Sequence, residues 1–213
     1  MPAEEKVILP DGETVINQSV GQPVSSDTAF LVEILSQEIS PKMINILDVG
    51  CGNGIIALML ARRFPATRIT GIDIQPGLIN LALKNADCCR VNVDFLKADL
   101  RKFSCIDKFN IIVANPPYFA IGSGRMGTDD ERNRSRFELD CNLPDVIDCI
   151  ARNCKPDGNA YVMYPAMREA QLTEHIRKNG MMIVERWVSS GNNKREARVY
   201  KIIWEKADVA TAE

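Results

Sequence analysis

Four consecutive residues, Asn115, Pro116, Pro117 and Tyr118, form a motif that could hold a planar amino group. The two prolines fix the direction of the chain and remove two backbone donors, which leaves carbonyl oxygens directed into a cleft. The Asn115 amide oxygen can accept a hydrogen bond, and the Tyr118 ring offers a flat surface for stacking. Acceptors on both amino hydrogens would draw the nitrogen lone pair out of conjugation and direct it at a methyl donor. Such a site would work through positioning and preorganised dipoles, without a strong general base.

A glycine-rich segment, residues 48–54 with the sequence D-V-G-C-G-N-G, carries a second chemical signal. Alternating glycines let the backbone turn tightly and approach a ligand closely, and a helix starting behind them offers unpaired N–H groups. Because the segment lies between a predicted strand and a predicted helix, we expect a nucleotide-like ligand beside Asp48, Gly50, Cys51 and Gly52. The spacing differs from the G-x-G-x-x-G dinucleotide fingerprint. The alternative is that the turn only connects two elements.

Two aspartates follow the next two predicted strands. Asp73 lies roughly 20 residues after the glycine-rich segment, near the spacing at which an acid meets a ribose hydroxyl pair. Its charge would disfavour a 2′-phosphate; alternatively, Asp73 caps the helix that begins near Gln75. Asp99 could accept a hydrogen bond from an adenine amino group, with Ile74 and Leu100 on the two sides of the ring. Otherwise Asp99 is a solvated residue at a strand end.

The elements that must position these residues follow from alternating short apolar runs and amphipathic segments, typical of βα units around a parallel sheet. Strands are predicted at 43–49, 68–73, 92–98, 109–114 and 159–164, the last after a turn at 156–158. Helices are predicted from a cap at Asn53 to about Phe64, and at 76–86, 143–153 and 166–179. In the second helix Leu78, Ile79, Ala82 and Leu83 should face inward.

Strands at 181–188 and 198–204 would then form an antiparallel C-terminal pair. The resulting fold class is α/β: a Rossmann-like, seven-stranded, doubly wound and mainly parallel sheet with a reversed edge strand. The carboxyl ends of its parallel strands share one edge, where such folds bind ligands. This edge would bring the glycine-rich segment, both aspartates and Asn115 together.

The whole chain of 213 residues suits one domain, with a formal net charge of −2 and a pI of about 5.6. This charge is a mild argument against a nucleic-acid partner, although a local basic patch can act on an acidic protein. The seven cysteines form no C-x-x-C pair, so we expect reduced thiols and no metal site. No apolar run reaches the length of a membrane span, and we expect a cytoplasmic protein without a membrane partner.

Residues 48–54, Asp73, Asp99 and Asn115 to Tyr118 together resemble the class I methyltransferases that modify amino groups. The resemblance implies S-adenosylmethionine as the cofactor. It implies that Asp48, Gly50, Cys51 and Gly52 line its methionine end, that Asp73 binds the ribose and that Asp99 binds the adenine. Asn115, with Pro116, Pro117 and Tyr118, would then hold the acceptor nitrogen.

Three further segments, residues 22–28, 131–138 and 194–199, resemble the bacterial family that methylates adenine N6 beside the anticodon of valine tRNA. The resemblance implies a tRNA substrate. We also expect a three-part division of the chain. Residues 1–40 would pack on the cofactor site, residues 41–206 would be the methyltransferase domain, and residues 207–213 would be a loose tail. A monomer is favoured. The substrate-binding candidates are Asp27, Phe119, Arg125, Arg132, Arg134, Arg136, Lys194 and Arg195.

Several alternatives stay open for the substrate. The arginines of residues 119–137 could form a solvated, salt-bridged loop, because acidic residues are interspersed among them. A glutamine amide of a peptide-release factor presents the same planar NH₂ group as adenine. Other RNAs such as rRNA, DNA adenine methylation and a cofactor-binding module without catalysis are the remaining possibilities.

Overall fold

A seven-stranded sheet organises the protein in the computed structural model, which describes residues 4–8, 15–19, 26–40, 44–116, 141–188 and 197–205. Its strands are β3 (Asn45–Val49), β4 (Arg68–Asp73), β5 (Asp94–Lys97), β6 (Phe109–Ala114), β7 (Cys154–Pro165), β8 (Met181–Val188) and β9 (Ala197–Trp204). They are arranged in the order β5-β4-β3-β6-β7-β9-β8. The strands from β5 to β7 are parallel, and β9 pairs antiparallel with both β7 and β8. The predicted fold class is therefore confirmed.

The described helices are α1 (Ser26–Glu38), α2 (Ile55–Arg63), α3 (Pro76–Cys89), α4 (Leu143–Asn153) and α5 (Glu169–Lys178), the last preceded by a 3₁₀ turn at Ala166–Arg168. Local sequence explains two of their starts. Pro76 occupies the first turn of α3, where its missing N–H costs nothing. Asn142 and Asp145 form a capping box at the start of α4.

Two buried clusters lie on the two faces of the sheet. The first contains apolar residues of α1, α2 and α3 with Ile46, Val113 and Tyr161 from the strands. The second contains apolar residues of α4 and α5 with Leu47 and Ile112. Neighbouring residues of one strand therefore pack on opposite sides, as expected for a sheet covered on both faces. This doubly wound arrangement leaves the edge at the carboxyl ends of the parallel strands for a site.

A small antiparallel hairpin precedes this unit, formed by β1 (Glu4–Ile8) and β2 (Val15–Ser19). Ile16 of β2 is buried in the first cluster, so the hairpin packs against the body of the protein. The predicted tail, residues 207–213, lies outside the described residues. In the part of the chain that the structure describes, every helix is too short or too polar to span a lipid bilayer.

The reversed strand does not lie at the sheet edge, contrary to the sequence prediction. β9 runs between β7 and β8, and β8 forms the edge in the same direction as the parallel strands. A prediction that follows the order of strands along the chain places the last strand at the edge. In the structure, β8 follows α5 and runs parallel to β7. The last strand of the chain then fills the gap between them.

Three local predictions were also wrong. The N-cap of α2 is Gly54, with φ 87° and no side-chain cap bond, rather than Asn53. Leu83 is 44% exposed rather than inward, because the inward stripe of α3 continues instead through Leu81, Asn85 and Ala86. Residues 156–158 do not form the predicted turn before β7. The strand begins at Cys154 and includes these residues, and its register with β6 is irregular there.

Candidate functional site

The glycine-rich turn, Asp73, Asp99 and Asn115 lie at one edge of the sheet because the strands that carry them are in parallel register. Val49 at the end of β3 is level with Ile72 of β4 and with Ala114 of β6. Asp73 at the end of β4 is level with Lys97 of β5. The segments that follow these strands therefore leave the sheet side by side, as predicted for the ligand edge of an open α/β sheet.

The glycine-rich turn has a backbone that glycine alone adopts easily. Gly50, Gly52 and Gly54 all have positive φ, at 71°, 55° and 87°. The N–H groups of Gly50 and Cys51 both donate to the Ile72 carbonyl, at 2.8 and 2.9 Å, which joins the turn to β4. A Cβ atom at Gly50 would meet no atom within 4 Å, so a ligand can approach the backbone there.

Asp73 connects this turn to the next helix. Its Oδ2 accepts from the Gly52 N–H at 3.0 Å, and its Oδ1 accepts from the Gln75 N–H at 2.8 Å. The second bond lies at the start of α3, as the capping alternative proposed, while the first binds the glycine-rich turn. An ionised carboxylate has about four lone-pair sites and can accept more than one hydrogen bond at each oxygen.

Asp48 is a buried acid beneath the turn, with only 1% of its surface exposed. Neither carboxylate oxygen has a hydrogen-bond partner among the described residues. Burial raises the pKa of Asp48 to about 7; the nearby Ala57 backbone N–H opposes this shift, and the charge of Asp73 adds to it. A buried acceptor that is not fully hydrogen-bonded costs free energy, so Asp48 is suited to receive a polar group that approaches the turn.

The Cys51 thiol is also buried, and its Sγ lies 3.9 Å from the Gly52 carbonyl oxygen. Burial raises the pKa of this thiol well above its usual range, with further contributions from Asp48 and Asp73. A neutral thiol is a poor nucleophile. Cys51 is therefore suited to packing against a ligand and unsuited to covalent catalysis.

Asp99 lies beyond the end of β5, which is shorter than predicted and ends at Lys97. Its carboxylate binds the Arg101 guanidinium through Nε at 2.8 and 3.1 Å and Nη2 at 2.7 Å. Hydrogen bonding from the Arg101 side chain lowers the pKa of Asp99 to about 2, and burial opposes this shift. Ile74 follows Asp73 in the sequence and Leu100 follows Asp99, and both side chains are half-buried. The acid is thus ionised and held by a partner that the sequence prediction did not include.

Asn115 and Pro116 directly follow β6, at the same edge as the glycine-rich turn. Asn115 is half-buried and Pro116 is buried. Asp27 lies in the first turn of α1 and is half-buried. The other predicted site residues lie outside the described part of the chain: Pro117, Tyr118, Phe119, Arg125, Arg132, Arg134, Arg136, Lys194 and Arg195.

The structure adds Asn85, which the sequence prediction missed. This fully buried side chain donates from Nδ2 to the Asn53 carbonyl of the glycine-rich turn at 3.1 Å. A polar residue in the inward stripe of α3 was a signal that could have identified it, because buried polar side chains need partners. Among the described residues, no group of three His, Cys, Asp or Glu side chains could hold a metal ion.

Comparison with known proteins agrees with this geometry. The family described as Methyltransferase domain matches residues 40–207. The chain is 30% identical over 148 residues to a tRNA1(Val) (adenine(37)-N6)-methyltransferase from Glaesserella parasuis, which covers 67% of this chain and 60% of that protein. It is 37% identical over 108 residues to a release factor glutamine methyltransferase from Aliivibrio fischeri, covering 50% of this chain and 38% of that protein.

The fold also matches a solved 16S rRNA N2 methyltransferase from T. thermophilus, in complex with AdoMet and guanosine. The TM-score is 0.67 at 17% sequence identity, and the match covers 96% of this chain and 50% of that chain. The chain thus spans less than two thirds of each of these three proteins. The family match covers most of the chain and includes every strand of the large sheet. The chain belongs to the methyltransferase domain family, a family that uses S-adenosylmethionine as its cofactor.

Proposed function

We propose that the protein transfers a methyl group from S-adenosylmethionine to an exocyclic amino nitrogen, most specifically N6 of an adenine in tRNA. One observation carries the proposal. Asn115 and Pro116 follow β6 at the same sheet edge as the positive-φ glycine turn and Asp73. This placement supports a cofactor site and an amino-group clamp that adjoin one another on neighbouring strands.

The residues of the turn fit the proposed cofactor. Gly50 leaves open space for close approach, and Asp48 holds two carboxylate oxygens without a partner among the described residues. A cationic amino group at the turn would supply the positive counter-charge for the Asp48 carboxylate. The Asp73 carboxylate would accept hydrogen bonds from the ribose hydroxyls. Ile74, Asp99 and Leu100 are proposed to contact the adenine, with Gly52 and Cys51 along the methionine part. When bound, S-adenosylmethionine supplies a methyl group carried on a positively charged sulfur.

The remaining chemistry is assigned to residues of the chain itself. The Asn115 side-chain oxygen and the Pro116 carbonyl would accept the two hydrogens of the target amino group. This arrangement turns the nitrogen lone pair away from the ring and towards the cofactor. Pro117 would keep the segment rigid, and Tyr118 would stack on the target ring. The methylated nitrogen then loses a proton, which needs no dedicated strong base.

The tRNA assignment rests on the relative from Glaesserella parasuis and on the motif resemblance. Phe119, Arg125, Arg132, Arg134, Arg136, Lys194 and Arg195 remain proposed RNA contacts, as does Asp27 for the junction with the N-terminal segment. Residues 1–40 are proposed as a unit that supports the cofactor site. A cytoplasmic location follows from the proposed tRNA substrate.

A second candidate function is glutamine methylation in a peptide-release factor. The relative from Aliivibrio fischeri favours it, with 37% identity over 108 residues. The same clamp would hold a glutamine amide in place of adenine, because both groups are planar NH₂ groups. The two candidates share the cofactor and differ only in the acceptor.

Labelled methyl transfer distinguishes these candidates directly. Unmodified bulk tRNA, ribosomal RNA and release factor would be incubated in parallel with the enzyme and methyl-labelled S-adenosylmethionine, and labelled RNA would be digested to nucleosides. Label recovered as N6-methyladenosine from tRNA supports the proposal. Label in release factor alone would show that the substrate is this protein and not RNA. If no acceptor is labelled although the cofactor still binds, amino methylation of all three is contradicted.

A further inference from the structure

The connection between β5 and β6 carries two of the residues proposed to contact the adenine, Asp99 and Leu100. It consists of residues 98–108, all of them described, and contains no helix. Because β4 and β3 lie between β5 and β6 in the sheet, this connection passes across the ends of two strands. Its backbone groups have no helical partners and must be satisfied by other parts of the protein.

The first half of the connection is a closed turn that is joined to β4. The Ala98 N–H donates to the Asp73 carbonyl at 2.9 Å, beside the proposed ribose acceptor. The Asp99 carbonyl accepts from the N–H groups of Lys102 and Phe103, both at 2.9 Å. The orientation of Asp99 therefore depends on what holds Phe103 at the other end of the turn.

The last turn of α4 holds that end. Arg152 donates from Nε to the Phe103 carbonyl at 3.1 Å and from Nη2 to the Leu100 carbonyl at 2.7 Å. Asn153 donates from Nδ2 to the same Phe103 carbonyl at 3.1 Å, and its Oδ1 accepts from the Cys105 N–H at 3.0 Å. Asn153 is fully buried and Arg152 is half-buried. Two consecutive side chains of α4 thus bind the backbone of the connection.

The two side chains contribute differently. The bonds of Asn153 go to Phe103, to Cys105 and, at 2.9 Å, to the Cys149 carbonyl of its own helix. They attach the connection to the second buried cluster, which Phe103 and Cys105 also contact. Arg152 adds the bond to Leu100, the residue directly after Asp99. A guanidinium presents its donors in a rigid planar fork, so Arg152 fixes the spacing between the Leu100 and Phe103 carbonyls.

We propose that Arg152 is a positioning residue for cofactor recognition, which holds the Asp99 carboxylate where it accepts a hydrogen bond from the 6-amino group of the adenine. The inference rests on the proposed function and assigns a role in it to a residue that does not touch the cofactor. Arg152 acts through the backbone of Leu100 and Phe103. A turn that is already ordered before the cofactor arrives lowers the cost of binding.

The test compares the affinities for two ligands that differ at the 6-position of the purine. The full chain would be titrated by calorimetry with S-adenosylhomocysteine and with S-inosylhomocysteine, in which an oxygen replaces the amino group. Arg152→Met removes the guanidinium and keeps a long apolar side chain. Arg152→Lys keeps a single charged donor and maintains the test if Arg152→Met does not fold. Urea denaturation would measure the stability of every variant.

Lys155→Met is the matched control. Lys155 is also basic and half-buried, and its Nζ donates to Asn110 Oδ1 at 3.1 Å, at the opposite end of β6 from the site. This substitution removes a comparable polar contact of a basic side chain without touching the connection. A loss of stability alone should therefore affect Arg152→Met and Lys155→Met in the same way.

Wild type should bind S-adenosylhomocysteine roughly tenfold more tightly than the inosine compound, because the oxygen cannot donate to Asp99. In Arg152→Met this ratio should fall to about two- to threefold, mainly through weaker binding of the adenosine compound. Arg152→Lys should give an intermediate ratio, and Lys155→Met should keep that of wild type. With saturating S-adenosylmethionine, kcat for methyl transfer by Arg152→Met should stay within about twofold of wild type while the KM for the cofactor rises.

A ratio that stays at the wild-type value in Arg152→Met and Arg152→Lys would overturn the inference, whatever their stability. An equal fall of the ratio in Lys155→Met would also overturn it. If wild type binds both compounds equally, Asp99 does not recognise the 6-amino group and the inference fails with that assignment. Discrimination by a wild-type enzyme that methylates no acceptor would instead overturn the proposed function alone.

Discussion

Asn85 of α3 and Asn17 of β2 form a reciprocal pair of hydrogen bonds, in which the Asn85 side chain pairs with the Asn17 backbone as a neighbouring strand would. Asn85 Oδ1 accepts from the Asn17 N–H at 2.8 Å, and Asn85 Nδ2 donates to the Asn17 carbonyl at 2.9 Å. The same Nδ2 group donates to the Asn53 carbonyl at 3.1 Å. One buried amide therefore joins the N-terminal hairpin, α3 and the glycine-rich turn.

Asn85→Ala should lower both stability and cofactor affinity. The change leaves buried backbone groups of Asn17 and Asn53 without partners, which should cost about 2–4 kcal/mol in the free energy of unfolding. Urea denaturation and calorimetry with S-adenosylmethionine would measure the two effects. Asn17→Ala is the control, because it retains the backbone bonds and removes only a side-chain contact of 3.4 Å. Equal losses in both variants would show that the backbone pairing does not matter.

Asn115→Ala should abolish methyl transfer while cofactor affinity stays within a few-fold of wild type. The lost acceptor acts on the target nitrogen, and one preorganised hydrogen-bonding group contributes about 10²–10³ to kcat. Asn110→Ala is the matched control on the same strand. Its Oδ1 accepts from the Asn45 N–H and from Lys155, at the opposite end of β6. Comparable losses of kcat in both variants would remove Asn115 from its proposed role.

Asp73→Ala should chiefly weaken cofactor binding. The change removes the proposed ribose acceptor and the bond to the Gly52 N–H, and hydrogen bonds to charged groups contribute about 1.5–3 kcal/mol each. We expect the Kd for S-adenosylmethionine to rise roughly 10- to 100-fold by calorimetry. Asp94→Ala, at the exposed start of β5, should leave it unchanged. An unaltered Kd in Asp73→Ala would exclude this carboxylate from the ribose site.

The burial of Asp48 predicts a pH dependence for the protein without cofactor. Its folded pKa of about 7 is above the ordinary value of 3.8, so the folded state binds more protons than the unfolded state between these limits. Stability from this group is therefore lost as pH rises from about 4 to 7. Asp48→Asn stays neutral, so its stability relative to wild type should increase between about pH 4 and pH 7. Denaturation midpoints that shift in parallel for both proteins would contradict the burial of an ionisable Asp48.

Gly71 and Gly77 should respond oppositely to alanine. A Cβ atom at Gly71 would lie 2.7 Å from the Phe95 ring and 3.0 Å from Cys51 Sγ, so Gly71→Ala must displace a buried ring beneath the glycine-rich turn. Overpacking of this kind costs about 1–3 kcal/mol. Gly77 lies in α3 with open space around its Cβ position, and Gly77→Ala should stabilise by roughly 0.5–1 kcal/mol. Thermal unfolding of both variants would check the signs.

The class of fold and the order of its elements can be predicted from the amino-acid sequence alone. Strand-length apolar runs and helical stripes are local patterns, and parallel strands must share an edge, so the pattern alone places Asp73 and Asn115 together. The end of β4 and the bounds of β6 follow the predicted limits. Errors arose where several local choices were equivalent, as at the cap of α2, where Gly54 adopts the left-handed backbone in the position expected for Asn53.

Contacts between side chains that are distant in sequence could not be predicted without the tertiary structure. Asn17 and Asn85 are 68 residues apart, and no periodicity of either segment specifies their pairing. The placement of β9 between β7 and β8 likewise brings Arg186 and Arg198 to one carboxylate, although neither strand indicates it alone. Such contacts depend on how whole elements pack, because burying their apolar faces fixes positions that local hydrogen bonding leaves free. The buried charge of Asp48 is a consequence of the same packing.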